Sequence, residues 1–255
     1  FPKPTEPDDC NEVFNKVGAQ FNDAFSFARL LGVKTCVGTE APLTMPARVK
    51  QRLIEEGRDP ADPTVVREVY EAVFERITKA HPLDYYWIWS SESWLWAKAS
   101  NEQADRVIDD MRLAVAAHTK VDPPFRLATS GWVLGPAKDR AILGRVLPNG
   151  IAVSTLSQAL GTMPVDPAFA EIEDRENWAI PWLEGDDNLA SPQLWVSRTL
   201  RAAHDARQYN CTGLLGLQWR TRAVGPNALA LAHAAWEPGP EKGEPPETKT
   251  EGSFR

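Results

Sequence analysis

The sequence predicts an α/β fold of repeated strand–helix units, of the (β/α)8 TIM-type barrel kind. Short β-rich runs alternate with amphipathic helical stretches six times along the chain, which favours parallel strands joined by helical crossovers. No glycine-rich phosphate loop follows any run, although a nucleotide-binding doubly wound sheet would usually have one. Polar or aromatic residues follow every run, as the mouth of a barrel requires.

The helical stretches are bounded by breaking and capping residues. The first is expected from about Asn11 to Leu31, and Gly32 suits its end because glycine tolerates the positive φ of a helix C-terminus. Asp62, Pro63 and Thr64 give a capped start to a later helix. The remaining helices are expected at 46–56, 62–79, 101–120, 138–146, 167–175, 193–209 and 226–236.

The β-rich runs are short, and most of them end on a carboxylate or an indole. They are expected at 33–40, 84–91, 125–132, 151–156, 177–184 and 212–219. The second run, Asp84-Tyr-Tyr-Trp-Ile-Trp-Ser-Ser91, is so aromatic that it predicts a strand buried on both faces, and Glu92 follows it directly. A buried strand that delivers a charged group at its C-terminal end is typical of α/β proteins with sites above the strand ends.

The length and the count of units predict the domain organisation. A chain of 255 residues with 43% hydrophobic residues can bury a large core, either as one barrel or as two smaller domains. We favour one barrel-like domain over 1–237, in which the six visible strands are the third to the eighth. Residues 238–255 are rich in Pro, Gly and Glu, so they predict a disordered linker or tail.

The composition narrows the class of ligand. A formal net charge of -7 argues against nucleic-acid and anionic-membrane partners, because those surfaces are met by clustered Lys and Arg. No apolar run is long enough for a membrane span. Ten tryptophans in an acidic chain favour a carbohydrate ligand, since an indole face stacks well on a sugar ring. Most of these tryptophans are nevertheless expected in the core.

No cofactor or metal is expected. The three cysteines have no metal-type spacing and are expected as free thiols, and the four histidines fall within or beside predicted helices. Asp186 and Asp187 are a weak candidate for Ca²⁺, because a single acidic pair is far from a full ligand set.

Two strand ends carry a family resemblance. The pieces Trp87-Ile-Trp-Ser-Ser-Glu92 and Ile180-Pro-Trp-Leu-Glu184, with Gln218-Trp219 at the end of the last run, resemble the clan of (β/α)8 glycoside hydrolases whose catalytic glutamates end strands four and seven. The resemblance implies Glu92 as acid/base and Glu184 as nucleophile. Ser91 departs from the clan, which usually has Asn before the strand-four glutamate.

Three further phrases are similar to a group of large bacterial secreted proteins that carry carbohydrate-binding modules. They are Gly32-Val-Lys-Thr-Cys-Val-Gly-Thr-Glu40, His81-Pro-Leu-Asp-Tyr-Tyr-Trp87 and Gly216-Leu-Gln-Trp-Arg-Thr-Arg222. This likeness implies a secreted or periplasmic protein with further domains of the same polypeptide upstream and downstream.

The chemistry explains why two glutamates are needed. Glycosidic cleavage requires a proton for the leaving oxygen and a carboxylate against the anomeric carbon, so one acid must be neutral and the other ionised. Nearby tryptophans favour the neutral form of Glu92, and Arg220 and Arg222 favour the ionised form of Glu184. A carboxyl separation of about 5–5.5 Å predicts retention, and about 6.5–9.5 Å predicts inversion.

Other strand-end residues are expected to bind the sugar. They are Glu40, Trp89, Trp132, Gln158, Trp182, Asp186, Trp219, Arg220 and Arg222. Glu40 is also an alternative second acid, and each glutamate has the plainer alternative of a loop cap or an ion-pair partner. A non-catalytic carbohydrate-binding barrel is the alternative function, whereas a metal-dependent hydrolase is disfavoured by the lack of histidine at strand ends.

Overall fold

The structure is a computed structural model that describes residues 4–90, 100–129, 131–163, 165–185, 193–219 and 223–236. The chain divides into two compact units. The first comprises Phe1–Trp89 and Asn101–Ala128, and the second comprises Ser90–Ser100 and Thr129–Arg255.

Over its described residues the first unit contains four helices and two complete strands. In chain order they are α1 (Pro7–Leu30), β1 (Cys36–Glu40), α2 (Ala47–Glu55), α3 (Pro63–Ala80), β2 (Tyr85–Trp89) and α4 (Asn101–Val121). Strand β3 (Arg126–Thr129) begins in this unit and ends in the second. Strands β1 and β2 are parallel, in a register that runs from Cys36 opposite Tyr85 to Glu40 opposite Trp89.

Local signals in the sequence set these helix ends. The Asp62 carboxylate accepts a hydrogen bond from the Thr64 backbone N–H at 2.7 Å, which satisfies one of the free donors at the start of α3. Pro63 follows at the first helical position, where a missing N–H costs nothing. Gly32, with φ of +73°, lies just beyond α1 as predicted.

The aromatic strand β2 packs its two faces differently. Tyr86 and Ile88 are each 1% exposed, and the ring of Phe74 on α3 lies 5.0 Å from the ring of Tyr86. On the other face Tyr85 is buried, but Trp87 and Trp89 are only half-buried. The predicted burial on both faces is therefore confirmed for one face and only in part for the other.

A buried carboxylate joins three segments of the first unit. Asp110 of α4 accepts a hydrogen bond from the Tyr70 hydroxyl at 2.6 Å and one from the Leu43 backbone N–H at 3.1 Å. Burial raises the pKa of Asp110 above its ordinary value, and the two donors offset this only in part. The loop after β1 is thus tied to α3 and α4 by a group whose charge is costly to bury.

Where the structure describes it, the second unit contains three helices and, beyond the end of β3, three strands. They are α5 (Ile142–Val146), β4 (Ala152–Leu156), β5 (Asn177–Ile180), α6 (Val196–Gln208), β6 (Gly213–Leu214) and α7 (Gly225–Trp236), with 3-10 turns at Ala159–Gly161 and Pro167–Glu171. Strands β4, β5 and β6 are parallel neighbours. Apolar residues from these strands, α6 and the second 3-10 turn form one core cluster, which includes Val153, Phe169, Ile172, Ala179 and Ala202.

The predicted α/β fold of six strand–helix units is confirmed. Strand order is chain order, from β1 to β6, with no reversal. A doubly wound sheet reverses its strand order at a switch point, whereas a barrel does not, so the order is that of a barrel segment. The extent of the barrel over 1–237 stays a prediction, and the predicted tail at 238–255 lies outside the described residues.

Strands β5 and β6 end well before the predicted positions, but their pairing continues. Regular β5 ends at Ile180 because Pro181 has no N–H to donate, and β6 covers only Gly213 and Leu214. Beyond them the Leu217 N–H donates to the Pro181 carbonyl, and the Leu183 N–H donates to the Leu217 carbonyl, each at 2.9 Å. The segments predicted as strands through 184 and 219 therefore stay side by side without regular geometry.

The three cysteines are free, as predicted. Burial raises the pKa of the Cys36 and Cys211 thiols to about 12, so both are inert at neutral pH. Among the described residues no helix has the length and apolar character needed to cross a membrane.

Replacing Asp110 by Asn is expected to remove a pH dependence of stability. Unfolding returns the pKa of Asp110 from its raised value to its ordinary value near 3.8. Between these two values the folded state holds the extra proton, so the free energy of unfolding falls as the pH rises through that window. Asparagine keeps an acceptor oxygen for Tyr70 and Leu43 but carries no charge.

Chemical denaturation of both proteins at several pH values from about 4 to 8 measures this effect. The stability of Asp110→Asn relative to the wild type should increase with pH across the window. Asp109→Asn, at an exposed position beside it, is the matched control and should keep the wild-type slope. A stability difference for Asp110→Asn that is constant with pH would contradict the prediction.

Candidate functional site

A group of polar and aromatic side chains lies at the C-terminal ends of the second unit's strands. We call Ser157, Trp182, Glu184 and Trp219 the strand-end cluster. Ser157 follows β4 directly, Trp182 and Glu184 follow β5, and Trp219 ends the segment that continues β6. Parallel strands present their carboxyl ends at one edge of the sheet, which explains why residues far apart in sequence meet here.

Glu184 is the acidic member of the cluster. Its side chain is buried, with only 2% of the residue exposed. One carboxylate oxygen, Oε1, accepts a hydrogen bond from the backbone N–H of Trp219 at 2.8 Å. The residue before it, Leu183, is fixed by the hydrogen bond to the Leu217 carbonyl. The backbone pairing beyond β5 and β6 therefore brings the acid to Trp219.

Two tryptophans stand beside the acid. The indole of Trp182 is 8% exposed, and its Nε1–H donates to the Ser157 carbonyl oxygen at 2.6 Å. The ring of Trp219 is half-buried, with its centroid 6.0 Å from that of Trp182 and the ring planes 42° apart. Trp182 thus connects the end of β4 to the end of β6, and Trp219 remains partly open to solvent.

Two polar atoms of the cluster are buried without a hydrogen-bond partner in the described part of the chain. They are Oγ of Ser157 and Nε1 of Trp219. A buried polar atom without a partner costs about 1–3 kcal/mol, so most such atoms are satisfied by protein or by water.

A left-handed turn shapes the border of the cluster. Ala159, Leu160 and Gly161 have φ values of 48°, 53° and 80°, immediately after Gln158. Only glycine adopts this region without cost, so the first two residues are strained. A side chain at Gly161 would meet the ring of Trp182 at 3.9 Å. The strained turn therefore passes close beside the buried indole.

The structure brings three of the predicted site residues together, namely Trp182, Glu184 and Trp219. Gln158 and Trp132, also in the second unit, are half-buried at the ends of β4 and β3. In the first unit, Glu40 is exposed at the end of β1 and stands opposite Trp89 in the parallel register. Four predicted residues lie outside the described part of the chain: Glu92, Asp186, Arg220 and Arg222.

Two residues near the acid were missed by sequence reasoning. Asn227 and Gln193 both bind backbone groups beside Glu184. Each is a single polar residue at the start of a helix or a loop, and such residues are usually surface or capping positions. No spacing or repeat marks them, so the sequence held no signal for this role.

The tryptophans are less buried than expected. Of the eight in the described residues, Trp182 alone is fully buried, Trp236 is 90% exposed and the other six are half-buried. The expectation that most tryptophans are core residues is therefore wrong for this part of the chain. Within the described residues, no group of three or more His, Cys, Asp or Glu side chains could hold a metal ion.

Replacing Ala159 by glycine is expected to raise the free energy of unfolding by up to about 1 kcal/mol. Glycine relieves the strain of the left-handed backbone, and because Ala159 is exposed no packing is lost. The matched control is Ala232→Gly, at an exposed position inside α7, where glycine should cost about 1 kcal/mol. Urea denaturation of the wild type and the two variants measures both changes in the free energy of unfolding. A loss of stability in Ala159→Gly would contradict the left-handed geometry.

Comparisons with known proteins give only distant likenesses. No protein-family model matches the chain, and no curated protein matches it. The Ignisphaera aggregans GH53 catalytic domain is 12% identical, with a TM-score of 0.47, over 78% of this chain and 66% of that domain. A D-tagatose 3-epimerase-like protein is 9% identical, with a TM-score of 0.39, over 90% of this chain and 83% of that protein. The chain thus spans just under two thirds of the length of the GH53 domain.

Proposed function

We propose that the protein is a glycoside hydrolase that cleaves an oligo- or polysaccharide by a retaining mechanism, with Glu92 as acid/base and Glu184 as nucleophile. The observation that carries this proposal is the placement of Glu184. Its carboxylate is buried beyond the paired ends of β5 and β6, next to two tryptophans, and is held by the Trp219 N–H at 2.8 Å.

The surroundings of Glu184 suit a nucleophilic carboxylate. A nucleophile must be ionised, and the backbone N–H that donates to the carboxylate offsets part of the cost of burying its charge. The same hydrogen bond fixes the direction of the carboxylate, and a fixed approach lowers the entropy cost of attack on the anomeric carbon. Glu92 supplies the proton for the leaving oxygen in this proposal.

The neighbouring groups support a sugar as the ligand. The half-buried ring of Trp219 offers a partly open aromatic face, and sugar rings stack on such faces. Nε1 of Trp219, which has no hydrogen-bond partner among the described residues, is a donor, and Oγ of Ser157 can donate or accept. Sugar hydroxyl groups do both, so they match these two atoms. The roles predicted for the other strand-end residues, and a secreted or periplasmic location, remain part of the proposal.

Hydrolysis assays on a panel of aryl glycosides and polysaccharides test the proposal. Glu92→Gln should lower kcat/KM by about 10²–10⁴-fold on substrates with poor leaving groups, since these need a proton. Glu92→Gln should slow the first step less on a dinitrophenyl glycoside, because that leaving group departs without being protonated. Glu184→Gln should abolish the reaction on both kinds of substrate, because the attacking group is lost.

The matched control is Glu173→Gln, at an exposed position in the same unit, which should keep the wild-type rate. Proton NMR of the first product formed should show retained anomeric configuration. Inversion would overturn the retaining mechanism. Wild-type rates in both Glu92→Gln and Glu184→Gln, on a substrate that the protein cleaves, would overturn the assignment of the site.

A non-catalytic carbohydrate-binding protein is the second candidate. The observation in its favour is that the tryptophans of the described residues are mostly half-buried, which suits binding without any need for a second acid. This candidate would be favoured if the wild-type protein bound insoluble polysaccharides and hydrolysed no substrate. Trp219→Ala should then lose the binding.

A further inference from the structure

The side chain of Asn227 is completely used in hydrogen bonds. Asn227 is the third residue of α7 and is 0% exposed. Its Nδ2 donates to the Leu183 carbonyl at 2.7 Å and to the Gln193 carbonyl at 2.6 Å, and its Oδ1 accepts from the Trp195 N–H at 2.8 Å. Two carbonyls and one N–H surround the amide, so the orientation of the side chain is unambiguous.

Gln193 makes a second contact of the same kind. Its Oε1 accepts from the Gly185 N–H at 2.7 Å, and its Nε2 donates to the Gly185 carbonyl at 3.1 Å. Both backbone groups of Gly185 are therefore bound by one side chain. Since Asn227 binds the backbone of Gln193 itself, the two amides form one connected unit, which we call the amide clamp.

The amide clamp holds the chain on both sides of Glu184. Leu183, before the acid, gives its carbonyl to Asn227 and its N–H to the Leu217 carbonyl. Gly185, after the acid, is bound by Gln193. The acid itself is bound by the Trp219 N–H. The contacts of Asn227 and Gln193 with Leu183 and Gly185 therefore hold the backbone on either side of the acid.

We infer that Asn227 and Gln193 are positioning residues that fix the backbone of Glu184 for reaction. This inference rests on the proposed function, because it assumes that the Glu184 carboxylate reacts. A reacting group must be held to within about 0.5 Å, and a displacement of about 1 Å can cost roughly 10²-fold in rate. A primary amide supplies the two donors and one acceptor that the site at 227 requires.

Asn227→Asp tests the inference with a change of one atom. The aspartate places an oxygen against the Leu183 and Gln193 carbonyls, so both donated hydrogen bonds are lost and the segment around Glu184 should shift. We expect kcat to fall by about 10²-fold with KM changed much less, since the shift affects the reacting atom more than the binding surface. Gln193→Glu, which loses only the donor to the Gly185 carbonyl, should give a smaller fall of the same kind.

The matched control is Asn177→Asp. Asn177 is also buried in the second unit, donates its Nδ2 to the Ile172 carbonyl at 2.8 Å, and lies at the opposite end of β5 from Glu184. The substitution removes a buried amide donor far from the acid. It should lower the melting temperature of the full chain but leave kcat per folded molecule unchanged.

Amide hydrogen exchange gives a readout that needs no activity. The N–H groups of Trp219 and Gly185 are bound by Glu184 and Gln193, so Asn227→Asp should speed their exchange by at least about tenfold under folding conditions, and Asn177→Asp should not. Faster exchange in Asn227→Asp, together with a wild-type protein that cleaves no glycoside, would support the clamp and overturn the proposed function.

Failure of the clamp can also be distinguished from failure of the proposed function. An active wild-type enzyme with unchanged exchange and unchanged kcat in Asn227→Asp would overturn the clamp and leave the proposed function standing. Faster exchange with unchanged kcat would overturn the positioning role. If Asn227→Asp does not fold, Gln193→Ala, which loses both contacts with Gly185, carries the same test, and unchanged exchange and kcat in that variant overturn the inference.

Discussion

The lateral pairing of the chain after β5 with the chain after β6 determines where the candidate site forms. This pairing outlasts the regular strands, since Trp182 forms a bridge with Leu217 and the Leu183 N–H donates to the Leu217 carbonyl. Because of it, Glu184 reaches the N–H of Trp219. A slip of one residue would turn every side chain on one strand to the other face, so the acid, the indoles and the amide clamp all depend on this register.

The order of the helices and strands could be predicted because each boundary has a local cause. Asp62 and Pro63 predicted the start of α3, and the structure shows the expected cap. The lengths of β5 and β6 were overestimated, because apolar and aromatic composition marks an extended, buried segment without telling whether its ladder is regular. Pro181 breaks that ladder, and the pairing resumes through contacts that depend on the partner segment.

Glu184 was predicted as a site residue because it ends an apolar run, but its surroundings were not predicted. Trp182 and Trp219 meet through the sheet register, and nothing in their spacing along the chain predicts a contact. Asn227 and Gln193 act through single side-chain to backbone hydrogen bonds, which leave no periodic pattern. The burial of tryptophans was misjudged because composition alone does not separate a core indole from a half-buried one.

Each unit carries its own close pair of indoles. Trp87 and Trp89 lie with centroids 4.7 Å apart and planes at 74° in the first unit, and Trp182 and Trp219 lie 6.0 Å apart at 42° in the second. Indoles this close and this inclined couple their electronic transitions, and the coupling disappears when the rings separate. Each pair therefore contributes to the circular dichroism of the folded protein, and a single replacement within a pair removes the contribution of that pair.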